Sequence, residues 1–459
     1  MKALVVGLGV TGAAVARALL ARGHGVVVAD DAAGPAARAA ADDLGLDLVE
    51  APSTDELVAL VAGADAVLPA PGVPARHPLF GAARAAGVPV LSEFDLASWW
   101  DDRPLLAITG TDGKTTVTTL VRDMLLASGL AAVAVGNTPV PLVAAIDDPG
   151  TDVFVVEASS FRLEHSQRFA PAVGTWLNFA ADHLDSHPDL ASYEAAKARI
   201  WRDQSAEQVA VGNADDPVVA RHLAAAPARH ATFALAADAD FRLVGGAASG
   251  GRLTGPGDGR AGPVEIARVE ELQRALPHDI ANGLAAAATA LAGGASIEGV
   301  RRGLLDFRGL PHRVALVGEA GGVRFYDDSK ATTPHAAATA VAGFESVVLI
   351  AGGRNKGLDL GVLAESAVPI RAVVAIGEAA PEVVAAFDGV RPVTSAGSMD
   401  EAVRAAVDLA RPGDAVLLSP GCASFDWYGS YGERGDDFAR AVRDLLGRDR
   451  NGGHGGGGP

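Results

Sequence analysis

Ile108-Thr-Gly-Thr-Asp-Gly-Lys-Thr-Thr116 follows the apolar run Leu105–Ile108 and leads into a helical pattern. A phosphate-binding loop needs that strand–loop–helix setting, because the first N–H groups of a helix have no intrahelical partner and point at whatever anion lies before them. Gly110 and Gly113 let the backbone approach phosphate oxygens, Lys114 can place an ammonium on the terminal phosphates, and the Thr115 hydroxyl can ligate Mg²⁺. Two residues separate these glycines where the usual loop has four, so a Gly-Lys-Thr turn capping an ordinary helix is the plain alternative. On the phosphate reading, Gly110, Thr111, Asp112, Gly113, Lys114, Thr115 and Thr116 are the candidate nucleoside triphosphate contacts.

Outward from this loop the chain alternates strands and helices punctuated by glycine turns, the pattern of an α/β protein with parallel sheets. Residues 1–100 open with a strand at Ala3–Val6, the turn Gly7-Leu-Gly-Val-Thr-Gly12, a helix over Ala13–Arg22 and a strand at Val26–Ala29 ending on Asp30. That is a Rossmann-like dinucleotide fingerprint. Residues 101–307 form a central block built on the phosphate loop, with strands at Val153–Val156 and Val173–Leu177 and a helix over Leu190–Trp201. Within it, Ala236–Gly262 is rich in Gly and Ala and reads as hairpins or a loose insertion. Residues 308–448 read as another Rossmann-like block, with strands near Val323–Tyr326, Val347–Ala351, Ala372–Ile376 and Ala415–Leu418. Residues 449–459 are a Gly-rich tail expected to be disordered.

Composition narrows the partners. The 459 residues carry a net charge of −18, whose long-range field repels nucleic acid and anionic membrane surfaces. An anionic ligand must then be held by local cations, which singles out Lys114, Arg313, Lys330 and Lys356, each near glycine, serine or threonine loop chemistry. The lone cysteine, Cys422, forms no intrachain disulfide, and the opening Met1-Lys-Ala-Leu-Val-Val-Gly reads as a strand instead of a signal peptide. Both point to the cytoplasm. Ala281–Ala292 is too short to span a bilayer.

Ligands of open α/β sheets bind at the carboxyl ends of the strands. Gly7, Thr109, Glu157, Asn178 with Asp182-His183, Asp327-Asp-Ser-Lys330, Gly352-Gly353 and Ser419 all follow predicted strands. Turns collect there too, so the weight lies in their number. Glu157 and His183 suit a Mg²⁺ environment, although magnesium prefers oxygen and a histidine implies a less regular site or an indirect role. Lys197, inside an Ala-rich helix, would ordinarily be a surface lysine.

Taken in order, Gly7-Leu-Gly-Val-Thr-Gly12, Pro71-Gly-Val73, the 108–116 loop, Glu157-Ala-Ser-Ser-Phe161, Asn178 to Asp185, Ala195-Ala-Lys-Ala-Arg199, Gly309-Leu-Pro-His-Arg313, Asp327-Asp-Ser-Lys-Ala-Thr332 and Leu418-Ser-Pro-Gly-Cys-Ala-Ser424 resemble the motifs of the Mur ligase family across nearly the whole chain. The Gly-Leu-Gly-Val-Thr-Gly opening is most similar to the D-glutamate-adding branch, and the Asp-Asn-Pro-Arg sequence of the diaminopimelate-adding branch is not found. The resemblance implies three α/β domains: an N-terminal UDP-binding Rossmann-like domain, a central ATPase-like domain and a C-terminal Rossmann-like domain. The implied activity is ATP-dependent addition of D-glutamate to UDP-N-acetylmuramoyl-L-alanine through an acyl phosphate, a step of peptidoglycan precursor synthesis. It also implies small-molecule partners only, a monomer, and Mg²⁺ with ATP as co-substrate.

Residue by residue, the resemblance implies that Lys114 and Thr115 serve ATP and Mg²⁺, that Glu157 and His183 belong to the metal sites, and that Lys197 is the lysine carbamylated into a carboxylate-like metal ligand. Asn282, Arg313 and Asp328 are implied for ATP, and Val10, Thr11, Asp30, Pro71, Gly72, Asn137 and Ser159 for the UDP-substrate. Thr332, Lys356, Ser424 and Tyr431 are implied for D-glutamate, with Lys330 near the reacting phosphate. The chain departs from the family pattern at Asp112, where Asn is usual, at Arg162, where Gln is expected, and at Ala158, which replaces a larger aliphatic residue. Three rivals remain open on the residues alone, one of them a catalytically dead nucleotide-binding or regulatory protein of the same fold, which would be indifferent to Lys114→Ala or Lys197→Ala. An NAD-dependent oxidoreductase would use the N-terminal fingerprint but leave the 110–116 loop idle, and a folylpolyglutamate-synthase-like ligase would leave the UDP-type block unexplained.

Overall fold

The computed structural model describes residues 1–182, 186–246, 249–256 and 262–452. The chain forms two compact units, one of Met1–Ala275 with Asp279–Phe307 and one of Leu276–His278 with the residues from Arg308 onward.

The first unit holds two sheets. The smaller lines up Leu48–Glu50, Gly25–Asp30, Lys2–Val6 and Ala66–Pro69, all parallel. Alternation along the first strand feeds two cores: Ala3 and Val5 pack with Val15 and Leu19, whereas Leu4 and Val6 pack with Leu57, Val61 and Leu79. Each Val or Leu among them taken from water contributes about 1.5–3 kcal/mol, and a strand buried on both faces commits the block to a doubly wound layout. Helix Val10–Ala21 starts three residues before the expected Ala13. Gly12 explains the early start, because a Cβ there would lie 1.9 Å from the Gly7 carbonyl oxygen; only glycine lets the first helical turn sit on the loop that precedes it.

The larger sheet runs Val264–Arg268, Ser249–Gly255, Phe241–Gly246, Arg229–Ala234, Val209–Asn213, Val173–Trp176, Leu105–Thr109, Val153–Glu157 and Ala132–Gly136. Its strands are parallel from Phe241–Gly246 onward, but Ser249–Gly255 pairs antiparallel with both of its neighbours. Parallel pairing gives way to antiparallel pairing at that edge, in the stretch that the sequence reads as hairpins or a loose insertion. Ala236–Gly262 is accordingly a hairpin extension of the sheet over its described residues. The short return between Phe241–Gly246 and Ser249–Gly255 leaves no room for the crossover a parallel pair would need. Leu105–Thr109 lies between Val153–Glu157 and Val173–Trp176, so the three loops carrying the candidate chemistry leave neighbouring strands at one edge.

The second unit orders Ala315–Ala320, Val323–Asp327, Ala415–Leu418, Val347–Gly352, Ile370–Ile376 and Val393–Ala396 in one sheet. Only the first pair is antiparallel. Helix Tyr431–Gly452 takes in the first residues of the expected tail, and 453–459 lie outside the described residues. No described helix is long and apolar enough to cross a membrane.

Candidate active site

The phosphate loop is held from outside itself. Asn178 Oδ1 accepts from the backbone N–H groups of Thr111 and Asp112, each at 2.9 Å, and its Nδ2 donates to the Asp112 carbonyl at 3.2 Å. The Thr111 hydroxyl donates to the Ala180 carbonyl at 3.1 Å and accepts from the Ala180 N–H at 3.0 Å. Strand Val173–Trp176 therefore delivers the residues that shape the turn after its neighbour. Gly113 caps helix Lys114–Ala127 with φ +85°, and a Cβ there would meet Asn282 Oδ1 at 2.6 Å and Leu177 Cδ1 at 3.2 Å. The structure thus brings Asn282 against the loop. Gly113→Ala is expected to cost about 1–2 kcal/mol of stability from the left-handed backbone alone and to weaken ATP binding at least tenfold. Denaturant midpoints and ATP titration check this; unchanged ATP affinity would refute the role given to the loop.

Two lysines meet at the foot of the loop. Lys114 Nζ donates to the carbonyls of Gly110 at 2.9 Å and Thr111 at 2.7 Å, and Lys197 Nζ donates to the same Gly110 carbonyl at 2.6 Å. Lys197 is fully buried instead of lying on the surface as its sequence context suggested, and its ammonium lies 4.5 Å from the centre of the Tyr193 ring. Burial, assisted by the nearby Lys114 charge, holds its amine well below the usual lysine range.

Glu157 ends the adjacent strand, in register with Ile108, and is buried. Its Oε1 accepts from Asn137 Nδ2 at 2.9 Å, whereas Oε2 has no hydrogen-bond partner among the described residues. The buried Ser159 hydroxyl is also without one. A buried carboxylate oxygen left open suits a cation, and together with the Thr115 hydroxyl it fits Mg²⁺, which takes one or two protein oxygens and completes its shell with phosphate oxygens and water. Among the described residues no group of three or more His, Cys, Asp or Glu forms a metal cage by itself. His183 lies outside the described residues.

Val10, Thr11, Asp30, Pro71 and Gly72 line one open cleft of about 440 Å³, together with Gly7, Asp31 and Arg162. Helix Val10–Ala21 begins there, with no acidic residue in its first turn, which leaves its N-terminus favourable to an anion. Asp30 accepts from the N–H groups of Leu8 at 2.7 Å and Ala32 at 3.0 Å, so it shapes the glycine turn as well as lining the cleft. Arg162 donates to the Thr11 hydroxyl at 3.0 Å and pairs with the buried Glu93. Burial lowers its pKa to about 10, which leaves it cationic at neutral pH and the one Lys or Arg among the described lining of this cleft. A second, small cavity shares Thr11, Pro71 and Arg162 with it.

In the second unit, three loops at the carboxyl ends of neighbouring strands are laced together. Gly421 N–H donates to the Ala331 carbonyl at 2.9 Å, and Arg354 and Ala423 exchange backbone bonds of 2.8 and 3.0 Å. Thr332, Lys356 and Ser424 belong to these loops. The Lys330 ammonium sits 3.9 Å from the centre of the Tyr431 ring. Buried Arg434 binds the loops together: it donates to the Ser329 hydroxyl and carbonyl, each at 2.9 Å, and to the carbonyls of Cys422 at 3.1 Å and Ala423 at 3.2 Å. Asp328 is buried, accepts from the Ser419 hydroxyl at 2.7 Å, and has its pKa pushed up to about 7 by desolvation. Arg313 sits between His312 and Val314, both with left-handed backbone, at φ +58° and +47°. Sequence reasoning did not single out Asn137 as the partner of Glu157, nor Arg434 at all. The sole signal for Arg434 was a charged residue in an otherwise ordinary helix start.

Comparison with known proteins agrees with this geometry. Residues 1–92 match the MurD-like N-terminal domain of Mur ligases, 108–290 the Mur ligase middle domain, and 312–422 the Mur ligase glutamate ligase domain. The chain is 44% identical to the UDP-N-acetylmuramoylalanine–D-glutamate ligase of Frankia casuarinae over 96% of this chain and 93% of that one. It is 41% identical to the ligase of the same name from Desulfosudis oleivorans over 97% and 96%. Among solved structures, a pseudomurein peptide ligase type C from Methanothermus fervidus shares the fold with a TM-score of 0.60 at 18% identity, covering 97% of this chain and 99% of that one. With an N-terminal, a middle and a glutamate ligase domain in order along almost its entire length, the chain belongs to the Mur ligase family.

Proposed function

We propose that this chain is an ATP-dependent ligase that joins D-glutamate to UDP-N-acetylmuramoyl-L-alanine. The observation that carries the reading is the meeting of Lys114 and Lys197 on the Gly110 carbonyl, beside a Glu157 carboxylate with one open oxygen, within a chain similar along its length to ligases of that name. A carboxylate is a poor acyl donor because oxide does not leave. An oxygen of the L-alanyl carboxylate attacks the γ-phosphorus of ATP, the bond from that phosphorus to the β–γ bridging oxygen breaks, and an acyl phosphate and ADP result. The D-glutamate amine then attacks the acyl carbon, and the tetrahedral intermediate expels phosphate as the amine loses its proton.

Little covalent work falls to the protein, which has to hold anions in line and neutralise charge. In this reading the loop from Gly110 to Thr116 and Asn282 hold the triphosphate, with Arg313 and Asp328 as further ATP contacts. Lys114 follows the terminal phosphates, and Lys330 approaches the phosphate being transferred. Thr115, Glu157, His183 and carbamylated Lys197 would hold Mg²⁺, which supplies charge neutralisation. The cleft at Val10, Thr11, Asp30, Pro71 and Gly72 takes the UDP portion, and Ser159 donates toward the muramoyl-alanine. Asn137 acts there through Glu157, whose carboxylate it holds. Thr332, Lys356, Ser424 and Tyr431 receive the dicarboxylate of D-glutamate. The division into 1–100, 101–307 and 308–448, a monomeric state and a cytoplasmic location belong to the same proposal.

An oxidoreductase reading leaves the phosphate loop and its two lysines without a task. Phosphate release from ATP with Mg²⁺ and UDP-N-acetylmuramoyl-L-alanine is expected to depend on D-glutamate, with L-glutamate, meso-diaminopimelate and no amino acid giving background. Equal release with any other amino acid would overturn the substrate assignment.

A further inference from the structure

Ser160, His187 and Glu164 stand in a line that no step of the reaction uses. The Ser160 hydroxyl is 2.9 Å from His187 Nε2, and His187 Nδ1 is 3.6 Å from a Glu164 carboxylate oxygen. In hydrolases that order of groups activates a serine. Here Ser160 and His187 are each 2% exposed, and among the described residues Ser160 borders neither the cleft beside Thr11 nor the small cavity that adjoins it, so the hydroxyl is closed off from both. The arrangement is a brace.

What it braces follows from the ring contacts. The His187 ring lies flat on Phe161, with centroids 5.3 Å apart and planes within 4°, and its centroid is 5.2 Å from that of Tyr193. The Tyr193 hydroxyl is 3.3 Å from the Thr111 hydroxyl of the phosphate loop. One imidazole therefore joins the turn from Glu157 to Phe161 to the helix Leu190–Arg202 that carries Lys197 and touches the loop. That turn presents the open Glu157 oxygen and the open Ser159 hydroxyl. On the ligase reading above, we propose that His187 is a positioning residue whose hydrogen bond to Ser160 fixes the turn that aims Glu157 at the metal of the metal–ATP complex.

The test is binding of Mn²⁺, as a spin-active substitute for Mg²⁺, to the full chain with a non-hydrolysable ATP analogue, read by electron paramagnetic resonance. Ser160→Ala and His187→Phe are each expected to weaken Mn²⁺ binding about fivefold or more while metal-free binding of the ATP analogue and the thermal midpoint stay unchanged. His187→Gln, whose amide N–H reaches as far as Nε2, should stay within about twofold of the parent. The double variant Ser160→Ala with His187→Phe should be no worse than the poorer single, because both remove one bond. Unchanged Mn²⁺ affinity in Ser160→Ala, additive losses, or a His187→Gln as weak as His187→Phe would overturn the proposal. Should His187→Phe fail to fold, Ser160→Ala and His187→Gln still decide it. A parent chain that binds Mn²⁺ with the analogue yet releases no D-glutamate-dependent phosphate would sink the ligase reading alone.

Discussion

Lys114→Met is expected to lower ATP-dependent turnover by about 10³-fold, or about 4 kcal/mol of transition-state stabilisation. The lysine is anchored at both ends of its possible motion. Its backbone opens helix Lys114–Ala127, and its ammonium rests on the Gly110 and Thr111 carbonyls within the loop itself. Charge that develops on the transferred phosphoryl group meets a cation already in place, and Met fills the same channel without it. The Gly110 carbonyl keeps its bond from Lys197, so the fold should tolerate the change. Initial rates with saturating substrates and a thermal midpoint measure both parts. A variant within tenfold of the parent would mean that the lysine serves the loop alone.

Lys197→Met is expected to reduce turnover at least 100-fold while holding or raising the melting temperature. The two effects have opposite signs because they have different causes. A fully buried lysine amine costs desolvation, which an apolar side chain of like volume does not, and the Gly110 carbonyl retains Lys114 as a donor. On the proposed reading, the lost turnover traces to the loss of a carbamate that would hold metal. Only a neutral amine can form the N–C bond to carbon dioxide, releasing one proton, and burial shifts Lys197 toward that neutral form. Lys197→Ala leaves room for a small carboxylate, so added acetate or propionate should restore part of its activity. Labelled bicarbonate should give a carbamate carbon signal in the parent and none in either variant. Full activity in Lys197→Met would end the proposal that this lysine holds metal.

Much of this was legible in the sequence, and the exceptions have a common cause. The loop at 108–116, the strand ends at Glu157 and Asn178 and the glycine turn at Gly7–Gly12 are local signals, readable from neighbours in the chain. Each lies where expected at the carboxyl end of a parallel strand. What escaped was partnership across the chain. Asn178 shapes a turn 66 residues before it, and Arg434 binds a serine 105 residues before it. Burial was missed for the same reason, since Lys197 sits in an Ala-rich helix whose own pattern says nothing of the sheet above it. Arg162 is a departure from the family pattern that the structure makes specific: it pairs with Glu93 and grips Thr11, which places a cation beside the cleft.

Arg434 reads the loop at 422–423 through main-chain carbonyls alone. Its grip is therefore indifferent to which side chains occupy those positions. Relatives can exchange residues along that stretch and keep its shape, so long as one guanidinium and Ser329 persist. The burden of inheritance falls on one guanidinium and its serine partner, while the side chains of the loop proposed to receive the amino acid are left open to variation.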